Sequence, residues 1–202
     1  MVGGIRNLFR ARRYCITKRR NVEDEQVMQE VRSGKVERLE VLFDRHSRAL
    51  FRYFMHLTAN RAASEDLVQE VFFRILKYRL SYQPETSFRA WMYQIARNLF
   101  LDQAGKRKAE VALPEEAIEM TAPDIAPDRQ YQNKQETALL RKALADLPRE
   151  KREVLVMSRF LDLKYEEIAS VLKCETGTVK VRVYRALREL GDRFFALGGE
   201  RA

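Results

Sequence analysis

The chain has 202 residues, of which 46% are hydrophobic and 33% charged, and its net charge is +9. No apolar stretch approaches the roughly 18–20 residues that span a bilayer, and two cysteines with two histidines supply neither a disulfide framework nor the usual set of zinc ligands. Eight glycines and five prolines are few for an all-β chain with many tight turns. The composition therefore predicts a soluble, cytoplasmic, all-α protein.

Charge is distributed unevenly along the chain. The first 22 residues contain seven basic and no acidic residues, whereas residues 109–133 contain six acidic residues, one basic residue and three of the five prolines. This pattern predicts a disordered basic arm (1–22), a helical domain (23–108), a flexible linker (109–133), a second helical domain (134–195) and a tail (196–202). Two basic modules joined by an acidic segment indicate a polyanionic partner, with a merely solvated charged surface as the alternative.

Hydrophobic periodicity indicates three helices in the first domain. Apolar side chains recur every three or four residues from Leu39 to Leu57, and His46 lies on that face, where packing is favoured over metal ligation. Asn60 and Ser64 offer N-cap groups for a second helix, which continues to about Leu80. A break at 82–86 is followed by a cap at Ser87 and a helix that ends in the basic residues 106–108.

The second domain contains the pattern of a helix-turn-helix. Two amphipathic helices are predicted first, at 139–147 and 154–161. The helix-turn-helix spacing then follows, with a short helix at 165–172, a turn at 173–175 and a second helix from Thr176, which can act as its cap. The first of these two helices contains the small Ala169. No acidic residue lies between Thr176 and Arg188, although several basic residues do. The last helix therefore fits the major groove of DNA.

Catalytic motifs are missing from the sequence. It has no glycine-rich phosphate loop, nucleophile elbow or HExxH motif, so we expect a binding protein with no catalytic residue, metal or cofactor. Asp66 and Glu70 lie one helical turn apart, which leaves a carboxylate-dependent nuclease as one alternative. Another is a helix-turn-helix regulator whose N-terminal domain senses a ligand or dimerises. The helix at 88–108 interleaves aromatic and basic residues, as single-strand binders do, although most of its rings fit a core equally well, and Tyr82 is the freer ring.

Four motifs in order carry a resemblance to a known family. Residues 66–72 (DLVQEVF) and 88–98 (FRAWMYQIARN) with Asp102 look like region 2 of the extracytoplasmic-function group of sigma-70-type sigma factors. Leu147-Pro148 with 152–154 (REV), 165–169 (YEEIA), 177–182 (GTVKVR) and 185–187 (RAL) look like its region 4. The resemblance extends over about residues 24–192.

The resemblance implies a sigma factor that binds core RNA polymerase, recognises the minus-35 and minus-10 promoter elements and helps melt DNA. The implied partners are the β′ clamp helices and the β flap of the polymerase, duplex and melted promoter DNA, and an anti-sigma factor. By position, the implied polymerase contacts are Asp66, Gln69, Glu70 and Arg74; the minus-10 contacts are Tyr82, Arg97, Asn98, Lys106 and Arg107; and the minus-35 contacts are Thr178, Lys180, Val181, Arg182, Tyr184, Arg185 and Arg188.

This sequence departs from the family pattern at three positions. Asp162 and Lys173 stand in turns where the family commonly has glycine, so a left-handed backbone there costs Lys173 about 1 kcal/mol. Val181 stands where the family often has serine, which replaces a polar DNA contact with an apolar one, such as a contact to a thymine methyl. Cys174 lies in the turn and Cys15 in the arm, and an incidental thiol is favoured over redox sensing at both positions.

Overall fold

The computed structural model describes the backbone of residues 17–110 and 132–198 and the side chains of residues 24–103 and 136–198. Within these ranges the fold is all-α, as predicted. Short 3-10 turns lie at Val36–Arg38 and Arg79–Ser81, and a π-helical turn lies at Val156–Phe160. The helices are α1 Thr17–Arg32, α2 Leu39–Thr58, α3 Arg61–Lys77, α4 Phe88–Glu110, α5 Gln132–Ala145, α6 Arg149–Leu155, α7 Tyr165–Leu172 and α8 Thr176–Ala196. No helix in the described ranges is long and apolar enough to cross a membrane.

Helices α1–α4 form the N-terminal domain, and the predicted periodicity of α2 is confirmed. Its inward face buries four apolar side chains together with His46. Helix α3 begins where the Asn60 side chain accepts a hydrogen bond from the Ala63 amide at 2.9 Å, which satisfies one free N–H of the first turn. Ser87 likewise precedes α4 and accepts from the Ala90 amide at 3.4 Å. The core residues of α2 and α3 include Leu42, Leu50, Tyr53, Phe54, Leu67, Val71 and Ile75.

Helix α1 corrects the prediction for the start of the chain. It begins at Thr17, so the last part of the expected arm 1–22 is helical. Most of α1 is polar, and among its described side chains, from residue 24 onward, the apolar ones that enter the core are Val27, Met28 and Val31, too few for a visible periodic signal. Residues 1–16 of the predicted arm, including Cys15, lie outside the described residues.

Helices α5–α8 form the C-terminal domain, and the helix-turn-helix is present as α7, a short turn and α8. Ala169 is buried in α7, where its small side chain allows the helices to pack closely, and Val179 and Val183 are buried on α8. The prediction that Thr176 caps α8 is wrong: Glu175 holds the extended N-cap conformation, without a capping side-chain hydrogen bond, and Thr176 is the first helical residue.

The left-handed turns expected at two non-glycine residues are confirmed. Asp162 and Lys173 both have a φ of 51°. Lys173 ends α7 in this conformation, and the next amide, that of Cys174, donates to the Ala169 carbonyl at 3.0 Å. This reversal sets the angle at which the chain enters α8, so the strain at Lys173 lies in the motif that would present DNA contacts.

The two domains contact each other directly, chiefly through α4 against α7. Ser87 Oγ donates to Glu167 Oε1 at 2.8 Å, and an Arg89 guanidinium nitrogen donates to the Leu161 carbonyl at 2.7 Å. The predicted linker 109–133 lies outside the described residues except at its ends, where residues 109–110 extend α4 and residues 132–133 begin α5. The domains therefore meet through side chains that are far apart in the sequence.

Candidate functional site

Helix α8 separates its residues into a buried stripe and an exposed basic face. The stripe consists of Val179, Val183, Ala186 and Leu190, which recur every three or four residues and pack against the rest of the C-terminal domain. The structure places the whole predicted minus-35 set on the exposed face: Thr178, Lys180, Val181, Arg182, Tyr184, Arg185 and Arg188.

Two large apolar side chains interrupt that basic face. Val181 is 48% exposed and Tyr184 is 61% exposed, although neither contributes to the core. Exposed apolar groups among cations suit contact with thymine methyl groups and sugar edges in a major groove. The exposed face of α8 thus combines several positive charges with two exposed apolar groups.

A second exposed face lies on α3, opposite its buried stripe. Asp66 and Gln69 are exposed on this helix, and Arg74 Nε donates to Glu70 Oε1 at 2.9 Å. The same guanidinium lies 3.4 Å from Asp102 Oδ2 of α4, so it links the two helices. Burial lowers the pKa of Arg74, but its hydrogen bonds to the two carboxylates outweigh burial and raise that pKa above its ordinary value. The predicted polymerase-binding residues therefore share one side of α3.

Phe73 is a residue of this face that the sequence analysis did not single out. Its side chain is 60% exposed and lies one helical turn after Gln69. Its neighbour Phe72 is buried and packs on Phe43 with ring centroids 4.9 Å apart. Helical spacing is the signal that could have identified Phe73, because position 72 falls beside the buried stripe of Leu67, Val71 and Ile75, whereas position 73 falls outside it.

The predicted minus-10 residues are not brought together. The expectation that Tyr82 is a free ring is wrong, because the ring is fully buried against Phe88 and Trp91 and its hydroxyl donates to the Thr86 carbonyl at 2.9 Å. Asn98 is exposed on α4. Lys106 and Arg107 lie outside the residues whose side chains are described.

Arg97, the remaining member of that set, is engaged by the other domain. Its side chain is 25% exposed, and its Nε lies 3.1 Å from Oε1 of Glu153 on α6. The same carboxylate oxygen accepts a hydrogen bond from the Tyr53 hydroxyl at 3.1 Å. Burial, and then the adjacent Glu153 charge, raise the pKa of Tyr53 well above its ordinary value, so this hydroxyl remains a donor.

The sequence analysis missed both buried glutamates between the domains. Glu153 and Glu167 are each less than a tenth exposed. Glu153 lies within the fully buried run 153–158, and a lone carboxylate in an apolar run is a signal that could have identified it. Glu167 accepts a hydrogen bond from the Lys164 amide at 2.9 Å, which is a local capping contact. The local sequence therefore explains this glutamate without its contact to Ser87 in the other domain.

The surroundings of Asp66 and Glu70 do not support the alternative of a carboxylate-dependent nuclease. Glu70 is paired with Arg74, and the described part of the chain contains no group of three residues able to hold a metal ion.

Comparison with known families matches both domains. Residues 42–110 match the family Sigma-70 region 2, and residues 137–190 match the family Sigma-70, region 4. The second match includes the helix-turn-helix, and the first includes α3 and α4 with their exposed polar residues.

Relatives and solved structures agree with these matches. The chain is 36% identical over 154 residues to the ECF RNA polymerase sigma factor SigE of Mycolicibacterium smegmatis, covering 75% of this chain but only 59% of that relative. It is 33% identical to the ECF RNA polymerase sigma factor EcfG of Rhodopseudomonas palustris, covering 75% of this chain and 82% of that one.

Among solved structures, the fold is similar to that of the sigma factor RpoE of Bartonella quintana, which was determined in complex with the anti-sigma factor NepR. The TM-score is 0.63 and the sequence identity is 26%, and the match covers 77% of this chain and 96% of that one. CnrH, solved with the cytosolic domain of CnrY, has the same fold, with a TM-score of 0.66 and 22% identity over 86% of this chain and 97% of that one. Two family regions in order, together with relatives matched over three quarters of the chain, identify this chain as a member of the extracytoplasmic-function group of sigma-70 family RNA polymerase sigma factors.

Proposed function

We propose that the chain binds core RNA polymerase in the cytoplasm and directs it to promoters, as a binding subunit with no catalytic centre of its own. The observation that carries this proposal is the exposed basic face of α8, where every predicted minus-35 residue lies outside the buried stripe. A ligand-sensing regulator would equally use such a helix, but that function does not explain the exposed polar face of α3.

We assign polymerase binding to the exposed side of α3. Asp66, Gln69, Glu70 and Arg74 supply charge and hydrogen bonds, and Phe73 supplies an apolar group at the same face. An exposed aromatic ring surrounded by polar groups is a typical anchor of a protein interface. The β′ clamp helices are the proposed partner of this surface, and the β flap is the proposed partner of the C-terminal domain.

We assign promoter contacts to α8 and α4. On α8, Arg185 with Lys180, Val181 and Tyr184 reads base edges, and Arg188 near the end of the helix binds phosphate. On α4, Asn98 and Arg97 contact the minus-10 element, as do Lys106 and Arg107, and this helix contributes to melting. Tyr82 is excluded from this set because it is buried.

Regulation by an anti-sigma factor belongs to the same proposal. The sigma factor RpoE of Bartonella quintana, similar in fold and sequence, was solved with such a partner. We expect a protein of this class to bind the chain in competition with the polymerase.

The test is run-off transcription with purified core polymerase on a library of templates randomised in the promoter region. Transcripts are expected only when the chain is added, and they should share two sequence elements at a fixed spacing. A helix-turn-helix regulator would instead bind duplex DNA without conferring initiation on the core enzyme. Lys142→Ala, which removes an exposed charge on α5, is the control for loss of positive charge alone.

A further inference from the structure

The function proposed above gives no role to the basic residues at the start of the chain. Residues 1–22 contain seven basic and no acidic residues, and three of the basic ones, Lys18, Arg19 and Arg20, stand in the first turns of α1. Positive charges at this end of a helix oppose the helix dipole, so they do not stabilise α1. The stability of the fold therefore gives no reason for this run of positive charge.

The first described side chains of α1 fasten it to the rest of the N-terminal domain. Asp24 is buried and meets both His46 and Arg45 of α2. Glu25 accepts a hydrogen bond from the Phe88 amide, at the first residue of α4, at 2.8 Å. Both carboxylates are thereby engaged by α2 and α4, and they fix where α1 begins.

These bonds place the start of α1 beside the segment that joins α3 to α4. The Tyr82 ring of that segment packs on Phe88, with ring centroids 6.3 Å apart. Burial, and then the charges of Glu25 and Asp24, raise the pKa of Tyr82 above its ordinary value, in agreement with this proximity. Position 19 lies six residues before Glu25, which is about 9 Å along the helix axis. The basic turns of α1 therefore lie within about 10 Å of the Glu25 contact at the start of α4.

The segment between α3 and α4 also exposes groups that suit nucleic acid. The Tyr78 side chain is 47% exposed and the Leu80 side chain is 67% exposed. Lys77 Nζ lies 5.5 Å from the centre of the Tyr78 ring, and α1 contacts the following turn, Arg79–Ser81. An exposed aromatic ring beside cations is the combination that holds single-stranded nucleic acid, by stacking on bases and pairing with phosphates.

We propose that the basic start of the chain, with Lys18 and Arg19 on α1, binds phosphates of the promoter strand at the minus-10 element. This inference rests on the proposed function, since it takes α4 as the minus-10 helix. The contact is with the sugar-phosphate backbone and carries no sequence information. Phosphates of one strand follow each other about every 3.4 Å along duplex DNA, so a strand at the start of α4 reaches position 19 within about three nucleotides.

The consequence is a change in the salt dependence of promoter binding. Each phosphate that a lysine or arginine neutralises adds about 0.9 to the slope of log affinity against log salt on duplex DNA, and about 0.7 on a single strand. Removing two such contacts should therefore reduce the slope by about 1.4–1.8. All promoter sequences should be weakened alike, because a phosphate contact does not distinguish bases.

The experiment compares holoenzyme that contains the wild-type full chain with holoenzyme that contains Lys18→Gln/Arg19→Gln. Affinity for labelled promoter DNA is measured at several salt concentrations, and we expect the variant to bind about tenfold more weakly at low salt, with the reduced slope. Lys18→Glu/Arg19→Glu should weaken binding further. Arg32→Gln/Lys35→Gln is the matched control, because it removes one arginine and one lysine at exposed positions near the other end of α1 and should keep both values.

Promoter DNA with neutral methylphosphonate linkages tests the location of the contact. Linkages at minus-10 should remove the difference between wild type and Lys18→Gln/Arg19→Gln, whereas the same linkages upstream of minus-35 should preserve it. A difference that persists on the DNA modified at minus-10 overturns the proposal. A wild-type salt slope in the variant, with helical content unchanged by circular dichroism, overturns it as well.

Vesicles of phosphatidylglycerol test the other polyanionic surface that a basic segment fits, a membrane. Loss of vesicle binding by the Lys18→Gln/Arg19→Gln chain, together with unchanged promoter binding, assigns the charges to lipid and overturns the proposal.

Run-off transcription with core polymerase distinguishes failure of this inference from failure of the proposed function. If the wild-type chain supports no initiation, the proposed function fails. If wild type and Lys18→Gln/Arg19→Gln both initiate and have equal promoter affinity and salt slope, only the contact between the start of α1 and DNA fails.

Discussion

The imidazole of His46 and the carboxylate of Asp24 lie with Nε2 and Oδ2 2.8 Å apart, and this contact fastens α1 to α2 inside the N-terminal domain. Asp24 is nearly inaccessible and also accepts a hydrogen bond from Arg45 at 2.7 Å. Burial raises the pKa of Asp24, but the bonds to His46 and Arg45 together lower it below its ordinary value, so the carboxylate is ionised at neutral pH.

Asp24→Asn should therefore destabilise the N-terminal domain by about 2–3 kcal/mol, because a buried charged hydrogen-bond acceptor is replaced by a neutral one. Urea unfolding at pH 7 measures the effect. Asp44→Asn, at an exposed position of α2, serves as the control and should change stability little. Equal unfolding free energies for both variants would contradict a structural role for Asp24.

The α3 face is tested by charge reversal. Asp66→Arg and Glu70→Arg should weaken core polymerase binding at least tenfold, or about 1.4 kcal/mol, with unchanged helical content. Phe73→Ala should weaken it too, without loss of thermal stability, because the ring is mostly outside the core. Binding is measured by fluorescence anisotropy with labelled core enzyme, and Glu40→Arg on α2 is the control. Wild-type affinity in all three variants would remove this face from the polymerase interface.

The left-handed residue in the helix-turn-helix makes a prediction about stability. Lys173→Gly should stabilise the C-terminal domain by up to about 1 kcal/mol, since glycine adopts a φ of 51° without steric cost, offset in part by its greater freedom in the unfolded chain. Lys173→Val should destabilise it, because a branched β-carbon is strained there. Thermal unfolding of the two proteins would contradict the strain argument if valine proved the more stable.

The His56 side chain at the domain interface predicts a pH dependence. Burial, and then the charges of Arg141, Arg52 and Arg152, lower its pKa to about 4. The unfolded chain takes up this proton near pH 6.5 and the folded chain does not, so the free energy of unfolding falls as the pH falls from about 6.5 towards 4. Between pH 7 and pH 5, His56 should lower the free energy of unfolding by on the order of 2 kcal/mol, and this decrease should be absent in His56→Gln. Urea unfolding at both pH values measures the difference. An identical pH slope in the variant would show that His56 is not the group responsible.

Local patterns predicted the elements that bury one continuous face. The periodicity of α2 and the spacing of α7, its turn and α8 identified these helices, because their burial follows directly from positions three and four residues apart. Helix α1 was missed because a short buried stripe in a very polar segment gives little periodic signal.

Contacts between distant residues could not be predicted in the same way. Tyr53 and Glu153 are 100 positions apart, and no local pattern relates them. The burial of Tyr82 was missed for a different reason: Phe88 and Trp91, which cover it, are near in sequence but belong to the next helix, so no helical period relates them to Tyr82. The exposed faces of α3 and α8, by contrast, follow from their buried stripes and could be read from the sequence.

Promoter reading by α8 is measured most directly by the sequence profile of transcripts that core polymerase makes with the wild-type chain, Arg185→Ala or Arg188→Ala. The templates are randomised at minus-35, and two salt concentrations are used. Initiation should depend on the chain. Arg185→Ala should lose about 1–3 kcal/mol of preference at particular base pairs, whereas Arg188→Ala should weaken all sequences alike and reduce the salt dependence. Transcription that is independent of the chain would contradict its function as a sigma factor, and an unchanged minus-35 profile for Arg185→Ala would contradict base reading by Arg185 on α8.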